Sequence, residues 1–303
     1  MRTLALSLLL ICAACASTGQ QPAPIERFRP TVVLMTDFGT RDDAVGLLRG
    51  VVVSVARDAQ VLDLTHEVPP FDVQAGARLL EDAPGIYPPG TVFVVVVDPG
   101  VGTTRKPIAA LLANGSYLVG PDNGVLSLAM AKHGVKEVRS IEDPRFMLRS
   151  VSTTFHGRDV FSPAGAHLAL GAPPFAEIGP VFDGYMKLAP RRVEPMMKVG
   201  RDLGEIVGLQ GEVVAIDEPF GNVWTNMTPA DIQTLAGSGD LVFQLGDRKV
   251  VAPLVKTFGD VAEGKPLAYW NSRGALALAL NMGDAARTYG VKRGMVVVVH
   301  HEK

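Results

Sequence analysis

The chain has 303 residues, 47% of them hydrophobic and 20% charged, a length that buries a substantial core and favours two domains over one. Its formal net charge is -2 and it contains no run of lysine or arginine, so the composition points away from nucleic acid and anionic membrane surfaces and toward a small-molecule ligand.

The opening "MRTLALSLLLICAACASTGQ" combines one early positive charge, an apolar stretch from Leu4 to Ile11 and small residues after it. That pattern predicts a secretory signal over residues 1–16, too short to persist as a transmembrane helix. Both cysteines, Cys12 and Cys15, fall inside it, so no internal disulfide is expected in the mature chain. "CAAC" resembles a bacterial lipobox with Cys15 as the lipidated residue, although Cys12 stands where leucine is usual; plain cleavage after Ala14 or Ala16 is the alternative. The expected location is therefore outside the cytosol, either periplasmic or held on the membrane by a lipid at Cys15. Residues 17–30, "STGQQPAPIERFRP", read as a flexible, Pro-rich tether.

From Thr31 the pattern alternates. A strand "TVVLM" leads to a helical stretch from Asp43 to about Ala56, then a strand "VLDLT" and a helix "VQAGARLLEDA". Strands follow at "TVFVVVV", Ile108 to Leu112 and "YLVG", with helices at "GVLSLAMAKHG" and "PAGAHLALG". Continuous Val/Leu runs between helices predict an α/β domain, residues 31–190, with a mainly parallel sheet covered by helices on both faces. Past "APRRVEP" the texture changes to short strands at close spacing, and "TPADIQTL" alone reads as helical, with Thr228 as N-cap and Pro229 at the first helical position. Residues 196–303 are expected to form a small antiparallel sandwich or barrel.

Three polar clusters stand just after strands: "TDFG" (36–39), "DPGVG" (98–102) and "PDNG" (121–124). Ligands of open α/β sheets sit outside the carboxyl ends of the strands, so these clusters are expected to converge. The stretch "VVVVDPGVGTTR" (94–105) has a glycine-rich turn but no Lys-Ser or Lys-Thr after it, so it lacks the chemical parts of a P-loop. Arg105 can fold back on Asp98 and hold that carboxylate ionised; an ordinary turn aspartate is the plainer reading. "TTFHGRD" places His156 before a glycine and a helix start, with Arg158 and Asp159 behind it. Asp37, Asp98, Asp122, His156 and Asp159 supply the residue types of a metal site but none of its diagnostic spacings, so no metal is expected. In the second domain, "IDEPFGNVWTNM" (216–227) and "YWNSRG" (269–274) each mix aromatics with amides. They read either as hairpin turns over an aromatic core or as a platform for a flat heterocycle, with Ser272 and Arg273 available to a carboxylate.

Taken in order, "TDFGTRDD", "THEVPPFDVQAGA", "VVVVDPGVGTTR", "PDNG", "TFHGRDVFSP", "AIDEPFGNVWTN" and "NSRG" resemble the S-adenosyl-L-methionine hydroxide adenosyltransferase family, relatives of fluorinase and chlorinase, over about residues 31 to 300. The resemblance implies an α/β domain followed by a small β-barrel, and a homotrimer whose sites lie between the first domain of one subunit and the second domain of the next. It implies displacement of methionine from ribose C5′ of S-adenosyl-L-methionine, with water as nucleophile and adenosine as product in the hydrolytic members, and no cofactor. Those members carry the Asp, Arg and His found here as Asp98, Arg105 and His156, whereas the halogenating relatives have tyrosine in place of that aspartate. By the same resemblance Asp37 meets the ribose hydroxyls, Asp42 the methionine ammonium, and Ser272 with Arg273 the methionine carboxylate. Phe71 and Phe220 flank the nucleoside, Asn222 reads the adenine edge and Asp217 faces the ligand. The competing expectations are an exported nucleoside-binding or S-adenosyl-L-methionine-binding lipoprotein without turnover, and a chloride-dependent adenosyl transfer. An export signal is unusual company for a substrate made in the cytosol.

Overall fold

The computed structural model describes residues 29–189, 192–197 and 206–302; the expected signal segment, Cys15 and all of the tether before Arg29 lie outside the described residues. The first sheet contains β1 (Thr31–Thr36), β2 (Gln60–Thr65), β3 (Val92–Val96), β4 (Pro107–Leu112), β5 (Tyr117–Pro121) and β6 (Val135–Ser140), in the order β2-β1-β3-β5-β4-β6. Neighbours from β2 to β5 pair in parallel, while β4 runs antiparallel to both β5 and β6.

Alternation along each buried strand sorts the core into two layers. Val32, Leu34, Val92, Val94 and Val96 face one side, against Leu48 and Val52 of α1 (Ala44–Val55) and Ala164 and Leu168 of α5 (Ser162–Leu170). Val33, Met35, Phe93, Val95 and Val97 face the other, against α2 (Val73–Leu80), α3 (Ala83–Ile86) and α4 (Ser127–His133). Every residue of β3 is buried, each contributing about 1.5–3 kcal/mol of transfer free energy. The α/β expectation holds, with one addition: β6, "VKEVRS", carries too little apolar character to announce itself, because an edge strand needs only one covered face.

The second region is an eight-stranded antiparallel sheet of β7 (Glu194–Met197), β8 (Ile206–Asp217), β9 (Asn222–Thr225), β10 (Leu241–Leu245), β11 (Arg248–Ala252), β12 (Pro266–Trp270), β13 (Leu276–Leu280) and β14 (Val296–His301). It runs β11-β10-β14-β8-β9-β13-β12, with β7 attached to β8. An isolated bridge between Leu254, just past β11, and Ala268 of β12 brings the ends of the sheet together into a nearly closed barrel around Val213, Phe243, Leu278 and Val299. "IVGLQ" and "EVVAID" form one strand, β8, which pairs with β14 in its first half and with β9 in its second. The capping box of α6 (Pro229–Ile232) is formed by Thr228 and Asp231, in agreement with the predicted N-cap. A further short helix, α7 (Ala285–Tyr289), follows Asp284, whose side chain caps it through the Arg287 N–H.

Candidate active site

The strand order β2-β1-β3-β5 makes the chain leave β1 toward one edge and β3 toward the other, so a crevice opens between their carboxyl ends. Asp37 follows β1 and Asp98 follows β3 beside that crevice. The turn after Asp98 passes close under the loop that carries His156: a Cβ on Gly102, which has φ +77°, would lie 2.4 Å from the Thr153 carbonyl oxygen. Only glycine fits there. His156 itself precedes a π-helical turn, Gly157–Phe161, that continues directly into α5.

Three of the predicted residues meet here. Arg105 Nε donates to both carboxylate oxygens of Asp98, at 3.0 and 3.1 Å, and Nη2 makes a further bond to Oδ2. Nη2 also lies 2.8 Å from His156 Nδ1. A guanidinium only donates, so Nδ1 accepts and the neutral imidazole carries its proton on Nε2. Burial and then the Arg105 charge lower the His156 pKa from its ordinary 6.5, against the opposing pull of Asp98 and Asp159. The Asp98 and Arg105 side chains are 5% and 8% exposed, and the guanidinium packs 5.2 Å from the centre of the Phe161 ring.

Neighbouring groups hold this cluster in place. Asp159 is fully buried; its carboxylate accepts from Arg158 Nε at 2.6 Å and from the Ser152 N–H at 2.8 Å, which fixes the loop before His156. On the other side Phe38 meets Phe155 edge-on, with 6.0 Å between ring centres, and so brings the Asp37 loop against the His156 loop. A network the sequence reading missed secures Asp37: Thr36 Oγ1 accepts from the Phe38 N–H at 3.2 Å and contacts His66 Nδ1 at 2.9 Å, while His66 Nε2 lies 3.0 Å from Asp63. Its signal was present in "TH" after the second strand, too short a pattern to interpret alone.

Asp37 Oδ2 accepts the Phe71 N–H at 2.8 Å, and Phe71 is 73% exposed. Asp42 is exposed just before α1 and accepts the Asp43 N–H. The carboxylates weighed for a metal site are dispersed in their bonding: Asp122 accepts the Met186 N–H, Asp159 serves Arg158, and no group of three His, Cys, Asp or Glu among the described residues is arranged to hold an ion.

The barrel carries a second cluster. Asp217, Phe220 and Asn222 line a cavity of about 810 Å³ together with Phe258, Met282, Asp284 and Arg287, none of which the sequence reading singled out. Asn222 is buried and its Nδ2 donates to Asp217 Oδ2 at 3.0 Å. The turn between them is pressed against Asp284: a Cβ on Gly221, at φ +71°, would lie 2.0 Å from Asp284 Oδ1. Met282, Asp284 and Arg287 come from "LNMGDAAR", where a strand end, a turn and a capping aspartate are packed into a few positions, and Phe258 comes from the distant "KTFGD". Among the described residues, none from the first domain lines this cavity. Ser272 is exposed on a turn ordered by Asn271 Oδ1, which accepts from the Arg273 and Ala275 N–H groups. Arg273 turns toward its own first domain, where Nη1 donates to the Arg78 carbonyl at 2.7 Å and lies 2.8 Å from Asp82. The structure thus brings Asp98, Arg105 and His156 together, and Asp217, Phe220 and Asn222 together, as two separate groups.

Fold and site define a two-domain protein, an α/β crevice carrying a nearly buried Asp-Arg-His cluster followed by a barrel with an aromatic and amide cavity. The chain belongs to the SAM hydroxide adenosyltransferase family: residues 32–179 match the model of its N-terminal domain and residues 211–298 that of its C-terminal domain. It is 39% identical over 273 residues to the (R)-S-adenosyl-L-methionine hydrolase of Thermus thermophilus, a match covering 88% of this chain and 98% of the relative. It is 33% identical over 297 residues to a fluorinase of Nocardia brasiliensis, covering 89% and 97%. The crystal structure of an uncharacterized conserved protein from Thermotoga maritima superimposes with a TM-score of 0.79 at 36% identity, covering 89% of this chain and all of that one.

Proposed function

We propose that this protein hydrolyses S-adenosyl-L-methionine to adenosine and L-methionine. Family membership and the hydrolase and fluorinase relatives support an enzyme that processes S-adenosyl-L-methionine at its adenosyl group. The observation that carries the finer reading is the Asp98–Arg105–His156 cluster at the crevice between β1 and β3. A water oxygen forms its bond to ribose C5′ as the C5′–sulfur bond breaks, and the sulfonium leaves with the electron pair as neutral methionine thioether. The attacking oxygen gains positive charge and loses a proton, so a fixed carboxylate beside it is favourable, while it repels a halide anion. Arg105 holds Asp98 in one orientation. His156 Nδ1 is already occupied by Arg105, so the ring is a brace for the guanidinium and Asp98 takes the proton before passing it to solvent. A thioether leaves unaided, and the reaction then depends mainly on aligning water, C5′ and sulfur.

Asp37 and Asp42 from the first domain, and Asp217, Phe220, Asn222, Ser272 and Arg273 from the barrel, are proposed to bind the substrate, with Phe71 against the nucleoside. Their separation into two groups on one chain favours a homotrimer in which the barrel of one subunit completes the crevice of the next; light scattering of the purified protein tests the assembly. The same reading takes the enzyme to be exported, on the strength of the secretory pattern expected over residues 1–16, and cell fractionation tests that part. The decisive experiment is chromatography of S-adenosyl-L-methionine incubated with the mature protein. Adenosine and methionine released in equal amounts, and absent with Asp98→Ala, support the hydrolase. Tight adenosine binding without release of methionine would move the reading to a binding protein, and 5′-chloro-5′-deoxyadenosine formed in high chloride would move it to a halide transferase.

A further inference from the structure

Among the described residues, two non-glycine side chains occupy the left-handed backbone region, Phe71 at φ +66° and Met282 at φ +56°. Both are large apolar residues left open to solvent, Phe71 73% and Met282 84% exposed, and each belongs to a different half of the site. At Met282 the conformation is imposed by its neighbours. Asn281 donates from its backbone to the Lys265 carbonyl at 3.0 Å and from its side chain to the Val261 carbonyl at 2.8 Å, and the Gly283 N–H closes the turn on the Leu280 carbonyl at 3.1 Å. Glycine or asparagine would satisfy that backbone without strain, and a polar residue would satisfy the solvent. Methionine satisfies neither, and strain of this kind persists where a ligand site requires it.

Met282 shares its cavity with Phe220, which is 64% exposed, with Phe258, and with the amide of Asn222. We infer that Met282 is a substrate-positioning residue: its flexible, polarisable thioether closes on the flat purine base held between the barrel aromatics and sets the affinity for the nucleoside. This rests on the adenosyl chemistry proposed above and adds a residue that chemistry does not use directly. A thioether suits the role because it follows an aromatic surface without demanding a hydrogen-bond partner. The strained turn keeps the side chain projecting into the cavity mouth, so little ordering remains to be done when the base arrives.

The test measures S-adenosyl-L-methionine turnover, adenosine binding by calorimetry and thermal midpoint for the unmodified protein and for Met282→Gly, Met282→Ala and Met282→Leu. In Met282→Gly, KM and the adenosine Kd are expected to rise about tenfold, the scale of losing one apolar side chain from a ligand contact, with kcat within about twofold. Its thermal midpoint should hold or rise, because glycine accepts the left-handed backbone. Met282→Ala, which keeps the strain, should show the same rise in KM, and Met282→Leu should recover most of the affinity. Unchanged KM and Kd in Met282→Gly, with the unmodified protein active, would overturn the role of Met282 alone. An unmodified protein that neither binds adenosine nor releases it would instead overturn the adenosyl reading and this inference with it.

Discussion

The two halves of the site are built on opposite principles. In the α/β domain the proposed reactive groups are nearly dry and cross-braced: Asp98 and Arg105 are 5% and 8% exposed, and their positions depend on bonds from separate loops. In the barrel the cavity-lining residues include apolar side chains exposed to solvent, Phe220 and Met282 at 64% and 84%. A carboxylate that must manage one proton needs fixed geometry before the substrate arrives. A surface that recognises a flat base gains its stability only on contact, because its apolar area is still hydrated without one. On the proposed reading the proton chemistry belongs to the first domain and recognition of the base to the second, and substitutions can separate the two.

The largest effect is expected at Asp98. Asp98→Ala should lower kcat by about 10²–10⁴-fold, the range for loss of a positioned proton acceptor, with little change in adenosine binding. It also strands a buried guanidinium, so the unfolding free energy should fall by about 3–5 kcal/mol in urea titrations. Asp98→Ala combined with Arg105→Leu should restore most of that stability and none of the activity, which separates the catalytic loss from the structural one. Asn222→Ala should do the reverse, raising KM about tenfold through one lost buried amide contact while kcat stays close to that of the unmodified enzyme.

An acid limb comes next in size. Because burial and Arg105 depress the His156 pKa, the neutral ring is complete above 6.5, and its contribution disappears only as pH falls through the lower folded value. Protonation puts a hydrogen on Nδ1 and removes the acceptor that Arg105 uses. The kcat/KM profile should therefore stay level through pH 6.5 and drop below it, and His156→Gln should lose that particular inflection. A limb centred above 6.5 would contradict the neutral ring.

Much of the first domain was legible because its strands are long runs of Val and Leu, and because the polar clusters stand where such strands end. Asp98 and Arg105 were readable as a pair from a single short stretch, since a glycine turn brings residues seven apart together. His156 belonged to the same cluster by ordered motifs alone; nothing in the spacing between it and Arg105 encodes a 2.8 Å contact made by a close pass at Gly102. β6 and α7 escaped because a charged edge strand and a helix of one turn carry no usable period. Phe258 and Met282 escaped for another reason: a barrel gathers residues from distant hairpins, and an exposed methionine looks like any surface residue until its backbone angle is seen.

The smallest expected effect tests how the two halves are joined within a chain. Asp82, between α2 and α3, pairs with Lys132 and with Arg273 of the barrel, and α2 is also tied at its start, where Asp72 pairs with Arg293. Burial works to raise the Asp82 carboxyl pKa, but the Lys132 hydrogen bond and the Arg273 charge outweigh it and hold the value below the usual 3.8. Its stabilisation is thus present above that value and is lost as pH falls through the depressed one, so it is complete at neutral pH. The partners are partly exposed, with side chains 31% (Asp82), 23% (Arg273) and 46% (Lys132) accessible, which limits the loss in Asp82→Asn to about 1 kcal/mol or a thermal midpoint lower by about 2–4 °C. Arg273 would keep its bond to the Arg78 carbonyl and the Glu81 carboxylate at 3.9 Å but lose its nearer counter-charge, so the Ser272–Arg273 turn should wander slightly and KM should rise about threefold, a loss within that same 1 kcal/mol, with kcat unchanged. If Asp82→Asn instead lowered kcat and left KM alone, the barrel turn would have to influence the Asp98 cluster, and the division between chemistry and recognition would fail where the α2–α3 segment meets the barrel.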